Sequence, residues 1–158
     1  MARRPINTKA LNDKIVKSGK EFNDALIAQI EAVAAEADGA CREAAFGLYT
    51  KLVEGVPKDT ARAAAGFNIN PEPSEWVPPP GDYKGQLQAA SQKAQDSLNS
   101  IPVGGKMTIS NNIEYLADLE NGHSQKQAPN GFIAIALRNF TAHLQKKTEE
   151  LRRKKIGV

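Results

Sequence analysis

The sequence predicts an α+β fold with a long N-terminal helix, a small antiparallel sheet and a long C-terminal helix. Three observations predict it. Apolar residues recur at threes and fours over 22–52 and again over 133–151, the period of a helix face. Short alternating stretches at 63–70 and 106–110 have the period of strands. Five prolines in the twelve residues 70–81 exclude that segment from any helix or sheet interior, and so mark a loop.

At 158 residues the chain is expected to be a single domain, 1–158. Its hydrophobic share of 41% suffices for a core, but aromatics are only 6% and alanine carries much of the apolar content. Close backbone packing is therefore expected rather than a bulky centre. No apolar run approaches the roughly 20 residues of a membrane span, and no h-region stands behind Arg3 and Arg4, so no membrane contact is expected. Cys41 is the single cysteine, which precludes an intrachain disulfide and suits a reducing compartment.

The first helix is expected to begin at Ser18-Gly19-Lys20-Glu21, a capping box with a hydroxyl and a carboxylate three residues on. Its stripe is Phe22, Leu26, Ile30, Val33, Ala37, Cys41, Ala44, Leu48 and Leu52, and Gly55-Val56-Pro57 stops it. At 1.5 Å per residue it spans roughly 50 Å, against a radius of gyration of about 15 Å for a compact chain of this size. It must bend, with Asp38-Gly39 the expected place, or project; a projecting stripe needs a partner. Cys41 on that stripe is expected to be a small buried thiol.

Residues 63–70 are expected to form a strand, and 70–81 an extended loop in which Trp76 tucks back onto the domain or anchors a partner. A Gln- and Ala-rich helix follows over 82–100, then a turn at Pro102-Val103-Gly104-Gly105 and a strand at 106–110. One or two helical turns are expected over 112–121, and a last helix from Pro129 to about Lys155, with the seam Ile133, Leu137, Phe140, Leu144, Leu151.

Charge is unevenly spread. Residues 1–18 sum to +4, 19–56 to −4 and 132–158 to +5. The basic N-terminal arm (1–17) and basic C-terminal tail (145–158) suit a polyanion or a complementary protein surface. Catalytic chemistry is not legible. His123 and His143 lack a second imidazole at ligand spacing, so neither a metal nor a cofactor site is expected. Gly104-Gly105 lacks the Lys-Ser/Thr of a phosphate loop. Asp118 with Glu120 is a carboxylate pair that nothing marks as desolvated, Glu120 with His123 a conceivable proton-transfer pair, and the chain reads as no enzyme.

Two motifs carry more. In Val56-Pro57-Lys58-Asp59-Thr60-Ala61-Arg62, proline ends the helix, Asp59 and Thr60 can bond freed amides, and Arg62 supplies a fork of donors. In Asn111-Asn112-Ile113-Glu114-Tyr115 through Glu120-Asn121-Gly122, a strand ends in asparagines and a short helix closes on a glycine that tolerates positive φ. In this order the pair resembles the neck or tail-completion proteins of long-tailed bacteriophages, the minor tail-component family with the Z-type tail-completion protein. Pro57, Asp59, Thr60 and Arg62 match its Pro-x-Asp-Thr-Gly-Arg turn, and Asn111, Tyr115, Glu120 and Gly122 match its second segment. The resemblance covers about residues 20–145. The family's glycine is Ala61 here, which suggests a turn without positive φ; residues 70–100 read as a variable insertion.

The resemblance implies a structural virion protein forming a ring, commonly a hexamer, at the head–tail junction. Its partners would be its own copies, the tail terminator or tail tube, and head-closure or connector proteins, with DNA passing through the lumen unread. Localisation would be the virion neck, and the host cytoplasm during assembly. Pairing of Arg62 with Glu120, within a subunit or across the ring, is expected from their joint presence in the motifs. The alternatives are a tail terminator or head-closure ring protein and, further off, a nucleic-acid-binding protein using Arg3-Arg4 and Arg152-Arg153-Lys154-Lys155.

Overall fold

A computed structural model of the chain describes residues 8–57, 61–122 and 130–156. The order is α1 (Thr8–Gly55), α2 (Arg62–Ala65), β1 (Asn68–Asn70), α3 (Tyr83–Ser100), β2 (Thr108–Ser110), α4 (Leu116–Glu120) and α5 (Ile133–Ile156). The α+β fold, with long first and last helices and a two-stranded antiparallel sheet, is as the sequence predicts. Among the described residues no helix is long and apolar enough to cross a membrane.

Two compact units are distinguished, 1–36 and 37–158. In the first, the described residues are those of α1 from Thr8 onward. The helix does not start at the Ser18 capping box: it is already formed at Thr8 and passes through Ser18 and Gly19. Residues 8–17 contain no breaker, and a glycine inside a helix costs only about 1 kcal/mol, too little to stop one that continues on both sides. Lys17 reaches Glu21 at 3.9 Å across the expected boundary, an i,i+4 pair that needs the helix to be continuous there. Asp38 and Gly39 are α-helical too. Ile15, Val16, Phe22, Leu26, Ile30 and Val33 all stand exposed.

The second unit, 37–158, holds the other elements and the buried core. Tyr49, Leu52 and Val56 from the end of α1 meet Phe67, Ile69, Leu98, Ile113, Phe132 and Ala136. Phe67 and Phe132 pack edge to face with ring centres 6.4 Å apart. Gly55 lets α5 come close, since a Cβ there would sit 3.1 Å from that of Phe132. The core is alanine-lined, with Ala44, Ala45, Ala63, Ala64, Ala65, Ala94 and Ala136 all buried, as the composition foretold. Cys41 is exposed, not the buried thiol expected. The stripe turns inward only from Ala44, three residues later.

The sheet is shorter than either expected strand. Asn68, Ile69 and Asn70 pair with Ser110, Ile109 and Thr108. Arg62-Ala63-Ala64-Ala65 coils into a helical turn instead, because a run of alanine prefers helix to strand. Two strands are marginal alone, and burial of Ile69 supports this pair. The proline-rich segment runs beside β2: Ser74 N–H donates to Ser110 Oγ at 3.1 Å and Thr108 Oγ1 to Pro71 O at 3.1 Å. Trp76 lies with its ring 5.6 Å from Lys93 Nζ on α3, still 38% exposed. Asp82 caps α3 by accepting from Lys84 N–H at 3.1 Å.

Candidate functional site

The two motifs lie 49 residues apart, counting from Arg62 to Asn111, and fold onto one another. The first begins where α1 ends: Val56 N–H still donates to Leu52 O at 3.1 Å, and Pro57 is buried behind it. Asp59 and Thr60 lie outside the described residues. Ala61 then takes φ 62°, ψ 5°, in the left-handed region. The turn without positive φ expected from an alanine at this position is therefore not what forms. The positive φ is kept, at a cost of roughly 1–2 kcal/mol for a residue with a Cβ. Core packing holds it there, for Ala61 and the three alanines of α2 are all buried.

Asn111 joins the motifs. Its Nδ2 donates to Ala63 O at 2.8 Å, while its Oδ1 accepts from Ile113 N–H at 3.1 Å. One side chain thus closes the α2 turn and shapes the exit from β2. Gly66 permits this approach: a Cβ there would fall 2.7 Å from Asn111 Oδ1 and 2.9 Å from Ile113.

Within this chain Arg62 pairs with Glu114 rather than with Glu120. Its Nη1 donates to Glu114 Oε1 at 2.7 Å, and the guanidinium carbon stands 5.8 Å from the centre of the Tyr115 ring. Hydrogen bonding to the Glu114 carboxylate raises the Arg62 pKa, and the guanidinium in turn holds Glu114 below the usual carboxylate range. The Glu114 side chain remains 67% exposed and that of Arg62 27%.

Glu120 has other work. Its Oε2 accepts from Phe132 N–H at 2.8 Å and Ile133 N–H at 2.7 Å, and its Oε1 from Ala134 N–H at 3.2 Å. A carboxylate reaching from α4 therefore caps α5, at the helix end where negative charge is favoured. Burial pushes this carboxyl up, but the three amide donors outweigh it and hold the group below its ordinary value. Gly131, at φ 74°, is required for the approach, since a Cβ would come within 2.5 Å of Glu120 O. Gly122 closes α4 at φ 84°, the left-handed glycine the sequence called for.

Arg62, Asn111 and Tyr115 thus mark one junction, and Glu120 and Gly122 a second, before the start of α5, while Pro57 lies buried just past the end of α1. Sequence reasoning missed Glu114, although it stood inside the quoted motif one residue before Tyr115. It also missed Arg42, which donates to the carbonyl of Leu98 in α3 and to that of Ile101 just past its end, and pairs with Asp38. Asp38 in turn accepts from Gly104 N–H at 2.9 Å, and this bond and that from Arg42 lower its pKa. The i,i+4 spacing of Asp38 and Arg42 was the available signal. His123 lies outside the described residues, so its relation to Glu120 does not enter. Among the described residues no three His, Cys, Asp or Glu side chains form a group that could hold a metal ion.

No family model matches the chain, and searches of the curated proteins and of the solved structures find no match either.

Proposed function

We propose that this chain is a structural ring subunit of a phage neck, completing the tail and joining it to the head connector, with no catalytic role. The observation that carries the reading is the convergence of the two motifs. Arg62 of the first meets Glu114 and Tyr115 of the second, and Asn111 of the second holds Ala63 of the first. Motif residues that meet in space form one constructed junction rather than two unrelated turns. The exposed apolar stripe on α1 adds support, because a protein that works within an assembly has somewhere to bury it. A ring supplies that place at every subunit.

In this reading the subunits form a homo-oligomeric ring, with a hexamer expected, between the tail terminator and the head-closure or connector proteins. DNA crosses the lumen without being read. The deciding experiment is electron microscopy of particles assembled without this protein. Separate filled heads and tails support the reading; joined, normal virions overturn it.

A further inference from the structure

Within the second unit, α1 and α5 run antiparallel, as Gly55 against Phe132 at one end and Lys147 to Glu43 at 3.4 Å toward the other require. Between them lies an open apolar groove of about 560 Å³. Cys41, Ala45, Leu48 and Leu52 form one wall, and Ile133, Leu137, Phe140 and Leu144 the other. Met107 and Ile109 line it as well. Each wall runs over twelve residues with the spacing four, three, four, so its ends lie roughly 16 Å apart along the helix.

The first unit carries a matching ridge. Phe22, Leu26, Ile30 and Val33 also run over twelve residues, their ends eleven positions apart at four, four, three, and are between 41% and 71% exposed. An eleven-residue period is 3.67 residues per turn, close to the straight helix's own, so the ridge stays on one face over this length. Charge matches as well. Residues 21–36 hold Glu21, Asp24, Glu31 and Glu36 and no base, while 133–147 on the groove's α5 wall hold Arg138, Lys146 and Lys147 and no acid, Lys147 being already paired with Glu43 of α1. The ridge side chains are exposed, and on the groove's α5 wall Leu137 is 47% exposed.

We infer that the groove receives residues 21–36 of a second copy of this chain, an amphipathic helix laid between two others. The contact is head-to-tail: each subunit offers a ridge to one neighbour and a groove to the other, and repetition closes a ring or grows a filament. This deepens the ring reading and rests on it only for the setting of the assembly.

The test uses the full chain with two variants at exposed positions, Ile30→Glu on the ridge and Leu137→Glu in the groove. Circular dichroism checks that both fold, and sedimentation reads the mass. The unaltered chain should assemble, and each variant alone should be monomeric. An equimolar mixture keeps one intact ridge and one intact groove, so it should give a one-to-one dimer and nothing larger. A monomeric unaltered chain, an assembled Leu137→Glu, or a mixture that stays monomeric overturns the inference. An assembled Leu137→Glu would point instead to pairing of ridge with ridge. Joined virions in the absence of the protein would defeat the neck reading and leave this contact standing, so the two failures are separable.

Discussion

The two halves of α1 carry one apolar pattern and meet opposite fates. From Ala44 to Val56 the stripe is covered by α2, the sheet, α3 and α5, and Tyr49 is 1% exposed. From Ile15 to Val33 the same spacing of leucine, isoleucine, valine and phenylalanine faces outward. A hydrophobic period therefore specifies a helix face but not what lies against it. The stability of the isolated chain should reside in the second half and its association in the first.

The largest expected effect tests that division directly. Leu52→Ala should cost about 2–5 kcal/mol in urea denaturation, because it empties a packed core position. Leu26→Ala, on the same helix, should change monomer stability by no more than about 0.5 kcal/mol. Equal losses at the two sites would erase the contrast.

The next effect sharpens it by locating where the second unit depends on charge. Glu120→Ala should cost about 1–3 kcal/mol, since it orphans three amide donors at the start of α5; Glu120→Gln should recover part. The Glu120 carboxyl is held down in the folded chain, so its stabilisation is complete above the unfolded value of about 4.3. It is lost as pH falls through the lower, folded value. The difference in stability between the unaltered chain and Glu120→Gln should accordingly shrink below about pH 4 and stay level above pH 5. A difference that grows on acidification would contradict the capping role.

A smaller gain is expected at Ala61. Glycine there relieves a left-handed alanine but adds freedom to the unfolded chain, leaving a net stabilisation of under about 1 kcal/mol, read as a slight rise in Tm. The smallest effect belongs to the exposed Arg62–Glu114 pair. In a double-mutant cycle Arg62→Glu should be partly rescued by Glu114→Arg and not by Glu120→Arg. Rescue at Glu120 would restore the pairing first expected from the motifs.

Periodicity made both long helices legible, along with α3, and punctuation made the loop and turns legible, down to the positive φ of Gly122. It failed where a local signal was real but outweighed. The Ser18 capping box is a valid start, yet residues before it are also helix formers, so the helix runs on to Thr8. The alternation at 63–70 was half right, because three alanines preceded the strand and took the helical alternative. In the candidate site, the residue types were readable and the pairings were not. Glu114 and Glu120 lie 52 and 58 positions after Arg62, and only the backbone path shows that Glu120 is already committed to the amides of α5.

That commitment bears on the order in which the molecule assembles itself. Residues 132–134 take their cap from a carboxylate twelve to fourteen positions earlier in the chain, on a different helix. The first turn of α5 is thus a tertiary event and not a local one. A peptide of residues 130–158 would lack its own start signal, and during synthesis α4 must be in place before α5 can be anchored at its origin.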